Sequence, residues 1–240
     1  MPRIHSLLYI ILLLSLAAAP RAAAQIGEPR DNIAVGVSAG VAMNTIGFDP
    51  TIKQSQHMAP TLGLVARFTS EKYFNTLCAL QLELNYAQLG WKEKVLDSDS
   101  QPLPDKYSRH QHYLQLPLLA RLGWGKERGG LMGYFLAGPQ FGYFLSESSE
   151  QSTFTLDAYG KPDRPNGLSA QYDMPIENKF DYGITAGAGI EWSTKAGRFA
   201  LEARYYYGLS DIYKNSKKDV FGRSNNNTIV LKAVYLFDLK

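Results

Sequence analysis

Apolar and polar residues alternate with a period of two over much of the chain, most clearly in DYGITAGAGIEW, residues 181–192. Every second residue from Tyr182 to Trp192 is apolar, whereas the residues between them are glycine, threonine or glutamate. This is the period of a β-strand whose two faces meet different surroundings. Runs of this kind predict eight strands and no helix after residue 25. The predicted strands are Ile33–Met43, Ala59–Phe68, Leu77–Leu89, Tyr113–Gly123, Leu131–Phe144, Lys179–Trp192, Arg198–Tyr207 and Thr228–Phe237.

The lengths of the strands and of their connections indicate a membrane barrel. A strand of a globular protein usually has about 5–6 residues, whereas a tilted strand needs about 9–11 residues to cross a bilayer. Most of the predicted strands are that long, and the connections between them alternate between long and short. Outer-membrane barrels have short periplasmic turns and long external loops. We therefore predict an all-β fold, an eight-stranded antiparallel up-and-down transmembrane β-barrel. The long connections are residues 44–58, 90–112, 145–178 and 208–227.

The two faces of the predicted strands differ in chemistry. On the third strand Leu82 and Leu84 share one face, and Gln81 and Glu83 share the other. We expect the apolar face to point outward into lipid and the charged face to line the lumen. An eight-stranded barrel is only just wide enough for its side chains to fill it, and buried charges must be paired. Four cations and four anions predict a neutral, cross-linked lumen rather than a channel. The predicted lumen charge network is Arg67, Glu83, Arg121, Asp181, Glu191, Glu202, Arg204 and Lys232.

Residues 1–24 have the composition of an export signal. Arg3 precedes an apolar run, residues 7–16, and alanines at positions 22–24 satisfy the small-residue rule for signal cleavage. We predict cleavage before Gln25, which leaves residues 25–240 as one outer-membrane β-barrel domain of a Gram-negative bacterium. Cys78 is the only cysteine, so no internal disulfide stabilises the domain, and the closed ring of strand hydrogen bonds must do so instead.

Several of the strands resemble those of a known family. YLQLPLLARLGW (113–124), YFLAGPQFGY (134–143), FDYGITAGAGIEW (180–192), LEARYYYGLSDIY (201–213) and NTIVLKAVYLF (227–237) are similar to the PorT-like outer-membrane β-barrel family of Bacteroidetes, also called porin-family proteins. The resemblance implies an eight-stranded outer-membrane barrel. Its founding member is needed for type IX secretion, and most other members have no established activity. No catalytic residues accompany the family.

Few residues indicate a cofactor, a metal or catalysis. Gly187 and Gly189 lie inside a strand, whereas a dinucleotide loop needs a strand–loop–helix context. His110 and His112 would share one face of a strand and could hold a metal. No third ligand is evident, although His57 lies in another predicted external loop, and we expect a solvated pair. We therefore predict no cofactor and no metal.

An acid–base site in the external loops is the catalytic alternative. Loops are generally polar and acidic, so we predict a protein that is not an enzyme. The carboxylate and histidine candidates for such a site are Asp97, Asp99, Asp105, His110 and Asp173.

The expected partners are outer-membrane lipid and lipopolysaccharide, together with secretion-system or envelope proteins. The segment DIYKNSKKDVFGRSNNN, residues 211–227, carries four cations that could contact lipopolysaccharide phosphates. They are Lys214, Lys217, Lys218 and Arg223. The chain has 25 basic and 22 acidic residues, and nothing in their distribution indicates a nucleic-acid surface.

Together these features predict a non-enzymatic structural or interaction component of the cell envelope. A PorT-like role in secretion is the more specific version of this prediction. Three alternatives stay open. They are a small-solute porin, an outer-membrane enzyme and a soluble lipocalin-like binder whose apolar face would enclose a ligand.

Overall fold

The computed structural model describes residues 27–96, 101–154, 170–172 and 174–239. The predicted signal peptide, residues 1–24, and its cleavage point lie outside the described residues. No helix within the described residues is long and apolar enough to span a membrane. The regular elements are β1 (Glu28–Asp49), β2 (Gln54–Ser55), β3 (His57–Tyr73), β4 (Thr76–Glu93), β5 (Tyr107–Gly125), β6 (Gly130–Gln151), a 3-10 turn (Ala170–Tyr172), β7 (Phe180–Thr194), β8 (Gly197–Asp211) and β9 (Arg223–Asp238).

The eight long strands form a closed antiparallel ring. Their order is β4–β3–β1–β9–β8–β7–β6–β5, and β5 pairs back onto β4. β2 has only two residues and pairs with the upper end of β4, where Gln54 lies opposite Glu93. The predicted eight-stranded up-and-down barrel is thus confirmed, with β2 as a short addition at the end that carries the long connections. Across the apolar middle of the ring, closure leaves no unpaired strand edge, which lipid could not satisfy.

The outer surface of the ring is apolar around its middle. On β4, Leu80, Leu82 and Leu84 are 46%, 43% and 42% exposed, while Gln81 and Glu83 between them are buried inside. A soluble β-sheet would show the opposite arrangement. The apolar face therefore points outward, and it does not enclose a ligand as the lipocalin-like alternative required.

Aromatic and polar residues mark the two boundaries of this apolar surface. On β4 the lower boundary lies near Thr76, whose hydroxyl accepts a hydrogen bond from the indole of Trp124 at 2.8 Å. The upper boundary lies near Tyr86, which is 44% exposed. Ten residues at about 3.3 Å per residue, tilted by about 40°, span roughly 25 Å, the usual height of the apolar band of such barrels.

Above this boundary the alternation of apolar and polar residues changes phase. β5 begins at Tyr107 rather than at the predicted Tyr113, and both tyrosines are buried inside the ring. Ser108 and His110, on the outer side of the same segment, are partly exposed. Apolar residues inside and polar residues outside are typical of a protein surface in water. The prediction of a loop over residues 107–112 is therefore wrong, because inward aromatic residues let the strands continue above the membrane.

The periplasmic end is tied together by ion pairs. Glu127, in the turn between β5 and β6, accepts a hydrogen bond from Arg30 Nε at 2.8 Å and pairs with Lys72 Nζ at 3.0 Å. These contacts, the one from Arg30 above all, lower the pKa of the Glu127 carboxyl to about 2. The pairs join the start of β1, the end of β3 and the β5–β6 turn at the lower mouth of the ring.

Candidate functional site: the lumen and the extracellular rim

The middle of the lumen contains an ion cluster centred on Glu83. Its carboxylate accepts hydrogen bonds from Arg204 at 2.6 and 3.0 Å and from Lys232 Nζ at 2.5 Å. Arg204 also pairs with Glu202, which accepts a further hydrogen bond from the Tyr134 hydroxyl at 2.7 Å. All of these side chains are buried. The cluster joins β4, β8, β9 and β6 across the interior, so it cross-links the ring.

A second ion cluster, centred on Glu191, lies closer to the periplasmic end. Glu191 Oε2 accepts hydrogen bonds from Arg67 at 2.5 Å and from Arg121 at 2.7 Å, and its Oε1 accepts one from Arg198 at 3.2 Å. The Arg121 guanidinium also lies 3.7 Å from the ring centre of Tyr134, which connects the two clusters. Three cations around one carboxylate occupy the lower lumen.

The structure places seven of the eight predicted lumen residues in these two clusters, but not Asp181. That carboxylate lies near the top of β7, where it accepts hydrogen bonds from Ser210 Oγ at 2.5 Å and Asn226 Nδ2 at 3.4 Å. It shares a face with Glu191, but ten residues separate them, roughly 33 Å along an extended strand. The alternation correctly predicted that Asp181 faces the lumen. It contained no information about the position of the side chain along the barrel axis.

Arg198 is the cluster member that the sequence interpretation missed. It pairs with both Glu191 and Asp238, the latter at 2.9 Å. Arg198 lies four residues before Glu202 and six before Arg204. Because both spacings are even, the sequence already placed Arg198 on the charged face of the strand. The equal count of four cations and four anions is therefore wrong, because Arg198 joins the network and Asp181 does not.

Two glycines of β7 give the long side chains room. A Cβ at Gly187 would lie 2.8 Å from Cγ of Arg204, and a Cβ at Gly189 would lie 2.5 Å from the Tyr134 ring. Both distances are shorter than any ordinary contact. The glycines that face the lumen on this strand therefore let Arg204 and Tyr134 lie flat against the barrel wall.

A small chamber lies above the Glu83 cluster. Its volume is about 20 Å³, enough for a single water molecule. Neutral polar side chains from five strands contribute to its walls, namely Thr61, Asn85, Gln115, Gln140 and Thr185.

Above the chamber the interior of the ring is apolar and aromatic. We call this region the rim core. The centre of the Phe48 ring lies 5.3 Å from that of Trp91 and 4.9 Å from that of Phe221. The rim core therefore closes the extracellular end as a packed protein interior. Its buried members are Ala42, Ile46, Phe48, Ala87, Leu89, Trp91, Tyr107, Tyr113, Phe144, Phe154, Ile176, Ile212, Tyr213 and Phe221.

One buried cation stabilises the rim core. The Arg109 guanidinium lies 5.6 Å from the ring centre of Trp91, donates to the Tyr213 hydroxyl at 3.0 Å, and pairs with Glu147 at 2.7 Å. It also donates to the Gln171 carbonyl at 3.0 Å. Arg109 therefore connects β5 and β6 to the 3-10 turn and to the segment after β8.

The predicted lipopolysaccharide-contact residues lie on the segment between β8 and β9. Its ends are anchored because Tyr213 and Phe221 are buried in the rim core. Between them Lys217 and Lys218 are exposed, and Lys214 lies 3.3 Å from Glu177. Arg223 is exposed at the start of β9. The structure thus presents all four cations at the extracellular surface, on a backbone held by aromatic residues.

The histidines pair differently from the predicted H-x-H arrangement. His110 Nδ1 lies 3.3 Å from His57 Nε2, whereas His112 Nδ1 lies 2.7 Å from the Tyr86 hydroxyl. Burial, followed by the charges of His110 and Lys92, lowers the pKa of His57 to about 4. His57 is therefore neutral at pH 7, with a lone pair available on one ring nitrogen.

The candidate acid–base residues do not form a described site. Asp97, Asp99 and Asp173 lie outside the described residues. Asp105 makes no hydrogen bond or ion pair with His110 in the described part of the chain. His110 instead lies 3.9 Å from a Glu150 carboxylate oxygen through its Nε2.

Comparison with known proteins yields one family and several solved structures. A family model described as "Outer membrane protein beta-barrel domain" matches residues 23–214. No curated protein matches the chain.

Three solved structures are similar to this chain. The outer membrane protein OprG from Pseudomonas aeruginosa is 12% identical with a TM-score of 0.48, covering 88% of this chain and 98% of that chain. Ail, the attachment invasion locus protein of Yersinia pestis, is 14% identical with a TM-score of 0.35, covering 88% and 99%. The outer membrane enzyme PagL is 11% identical with a TM-score of 0.40, covering 83% and 97%. These identities and TM-scores are too low to support a functional comparison.

Proposed function

The chain belongs to the outer membrane protein beta-barrel domain family, and from this membership we propose that it acts as a non-enzymatic structural and interaction component of the outer membrane. One observation carries the proposal. Above a cavity of about 130 Å³ at the periplasmic mouth, two ion clusters occupy the lumen, and a packed aromatic core occupies the extracellular rim. A barrel built in this way presents a fixed outer surface and transmits nothing through its centre.

The filled lumen argues against the small-solute porin. The Glu191 cluster, the Glu83 cluster, the small chamber and the rim core follow one another along the axis. A hydrated solute would have to separate ion pairs such as Arg204–Glu83, at 2.6 Å, and then displace buried rings such as Trp91. Breaking one buried ion pair alone costs about 3–5 kcal/mol.

We expect the purified barrel to leave the conductance of a planar phospholipid bilayer at the level of the barrel-free membrane. The reason is that, in the part of the chain that the structure describes, the two ion clusters and the rim core obstruct the lumen at successive levels. Single-channel recording in 1 M KCl checks this prediction, with a porin of known conductance as the positive control. Reproducible current steps whose frequency scales with the amount of barrel added would contradict it and favour the transport alternative.

The interaction surface that we propose is the extracellular rim, with lipopolysaccharide as one partner. Lys217 and Lys218 are exposed on the segment between β8 and β9, and Arg223 is exposed at the start of β9. Each cation near an anionic lipid surface contributes about 1 kcal/mol. Lys214 contributes less, since Glu177 already partly neutralises it.

Replacing Lys214, Lys217, Lys218 and Arg223 together by glutamine is expected to reduce lipopolysaccharide binding about tenfold or more. Co-purification of lipopolysaccharide from outer membranes, quantified per mole of barrel, measures the change. A matched control replaces Lys126 and Lys195, which are exposed at the opposite, periplasmic end, and should leave binding unchanged. An equal loss in both variants, or none in either, would exclude specific contact by this segment.

A second candidate function is a PorT-like role in type IX secretion. It is favoured by the segments that resemble the PorT-like family, among them YLQLPLL, residues 113–119. Deleting the gene and measuring secreted protease activity distinguishes this role from a general envelope role. Unchanged secretion with altered envelope integrity would favour the general role.

A further inference from the structure

All the histidines that follow residue 24 lie at the extracellular rim. The chain has four histidines. His5 precedes the described residues, His57 begins β3, and His110 and His112 lie on the outer side of β5. None of these three described histidines takes part in the lumen clusters or in the rim core. Their position at one end of the barrel therefore calls for an explanation beyond folding.

His57 and His110 approach each other through single ring nitrogens. The distance from His110 Nδ1 to His57 Nε2 is 3.3 Å, and the ring centres lie 4.8 Å apart at an interplanar angle of 63°. This is longer than the usual 2.7–3.2 Å of an N–H hydrogen bond. A tetrahedral zinc ion with Zn–N bonds of about 2.0–2.1 Å would hold two ligand nitrogens about 3.3–3.4 Å apart. The observed separation therefore matches two ligands of one ion.

The local fold of three strands brings these two histidines together. β3 pairs with β1 from His57 onward but with β4 only from Thr61 onward, which leaves a gap in the β3–β4 seam next to His57. On the other side of β4, Gly90 lies opposite His110. Gly90 has a φ of +133°, and a Cβ there would lie 1.9 Å from the Arg109 carbonyl oxygen, so glycine lets β4 and β5 approach closely beside His110.

Charged neighbours surround the pair on two sides. Glu150 Oε1 lies 3.9 Å from His110 Nε2, the nitrogen that faces away from His57. A carboxylate at the second nitrogen of a ligating histidine orients the ring and raises its basicity. Lys92 is the nearby cation whose charge acts on His57, and it opposes any positive ion there. The favourable free energy of coordination by two imidazoles must therefore be larger than the electrostatic repulsion from Lys92.

We propose that His57 and His110 form a surface site for one divalent transition-metal ion, zinc or copper, with water in the remaining coordination positions. The described residues contain no group of three histidine, cysteine, aspartate or glutamate side chains that could hold a metal, so the site uses two protein ligands and stays open to a further ligand. The His110 side chain is 21% exposed and His57 is buried at 7% exposure, so an ion reaches the pair from the His110 side. His112 is excluded from the site because its Nδ1 contacts Tyr86.

Copper binding to the refolded full barrel without a histidine tag tests this assignment. Titration with CuCl₂ followed by electron paramagnetic resonance should show one ion per barrel with superhyperfine splitting from two nitrogens. His57→Gln and His110→Gln should each weaken binding at least tenfold and reduce the splitting to one nitrogen. ZnCl₂ should displace the copper from the unaltered barrel.

His112→Gln is the matched control, because His112 lies on the same strand face two residues from His110. It should keep both the affinity and the two-nitrogen spectrum. Heat-modifiable gel mobility verifies that every variant is folded. The number of nitrogens that split the copper spectrum of the unaltered barrel tests the site without any substitution. Absence of one-to-one binding, or an equal loss of binding in His112→Gln, would overturn the proposal.

Discussion

Replacing Glu83 by glutamine is expected to lower the free energy of unfolding by about 3–5 kcal/mol. Glu83 is the common acceptor for Arg204 and Lys232 and is 1% exposed. Without the Glu83 charge, Lys232 loses its ion pair and keeps neutral contacts, such as the one with Ser38 Oγ at 3.4 Å. An unpaired cation would then be buried in the middle of the barrel. Urea titration of the barrel refolded into phospholipid vesicles, followed by tryptophan fluorescence, measures the loss.

Glu202→Gln is the matched control for this prediction. Arg204 would keep its two hydrogen bonds with Glu83, so we expect a smaller loss of about 1–2 kcal/mol. Adding Lys232→Met to Glu83→Gln removes the unpaired cation and should restore part of the lost stability. Equal effects of the two glutamine substitutions would show that the Glu83 cluster does not cross-link the ring as described.

Replacing Leu82 by arginine should lower the unfolding free energy by about 2–4 kcal/mol when the barrel is in a bilayer. Leu82 is 43% exposed on the outer surface and lies midway between Thr76 and Tyr86. A guanidinium at this position would lie in hydrocarbon near the bilayer midplane. The same vesicle-based urea titration checks the value, and the yield of folded barrel in cells gives a second measure.

Val220→Arg is the control for the arginine substitution. Val220 is also 43% exposed, but it lies on the extracellular segment between β8 and β9. Arginine there meets water and should change the stability by less than about 0.5 kcal/mol. If Leu82→Arg were as mild as Val220→Arg, the apolar face would not be in contact with lipid, and the membrane assignment of the fold would fail.

The alternation along single strands was sufficient to predict the barrel. Leu82 and Glu83 show why, since adjacent residues of a strand point to opposite faces, and only a lipid-facing barrel accounts for leucine outside and glutamate inside. Short connections alternating with long ones predicted the up-and-down order. The same pattern overestimated the length of the loops. The strands continue above the membrane, where Tyr107 and Trp91 point inward.

The sequence by itself determined the ring of eight strands, the lipid-facing surface and the charged interior, because each depends on the direction of a side chain from its own strand. Only the tertiary structure decided which of those side chains meet. Arg67 contacts Glu191 across 124 residues of chain, Asp181 lies apart from both ion clusters, and His110 meets His57 rather than His112. These contacts depend on the register between strands that are distant in sequence, and a local period of two carries no information about register.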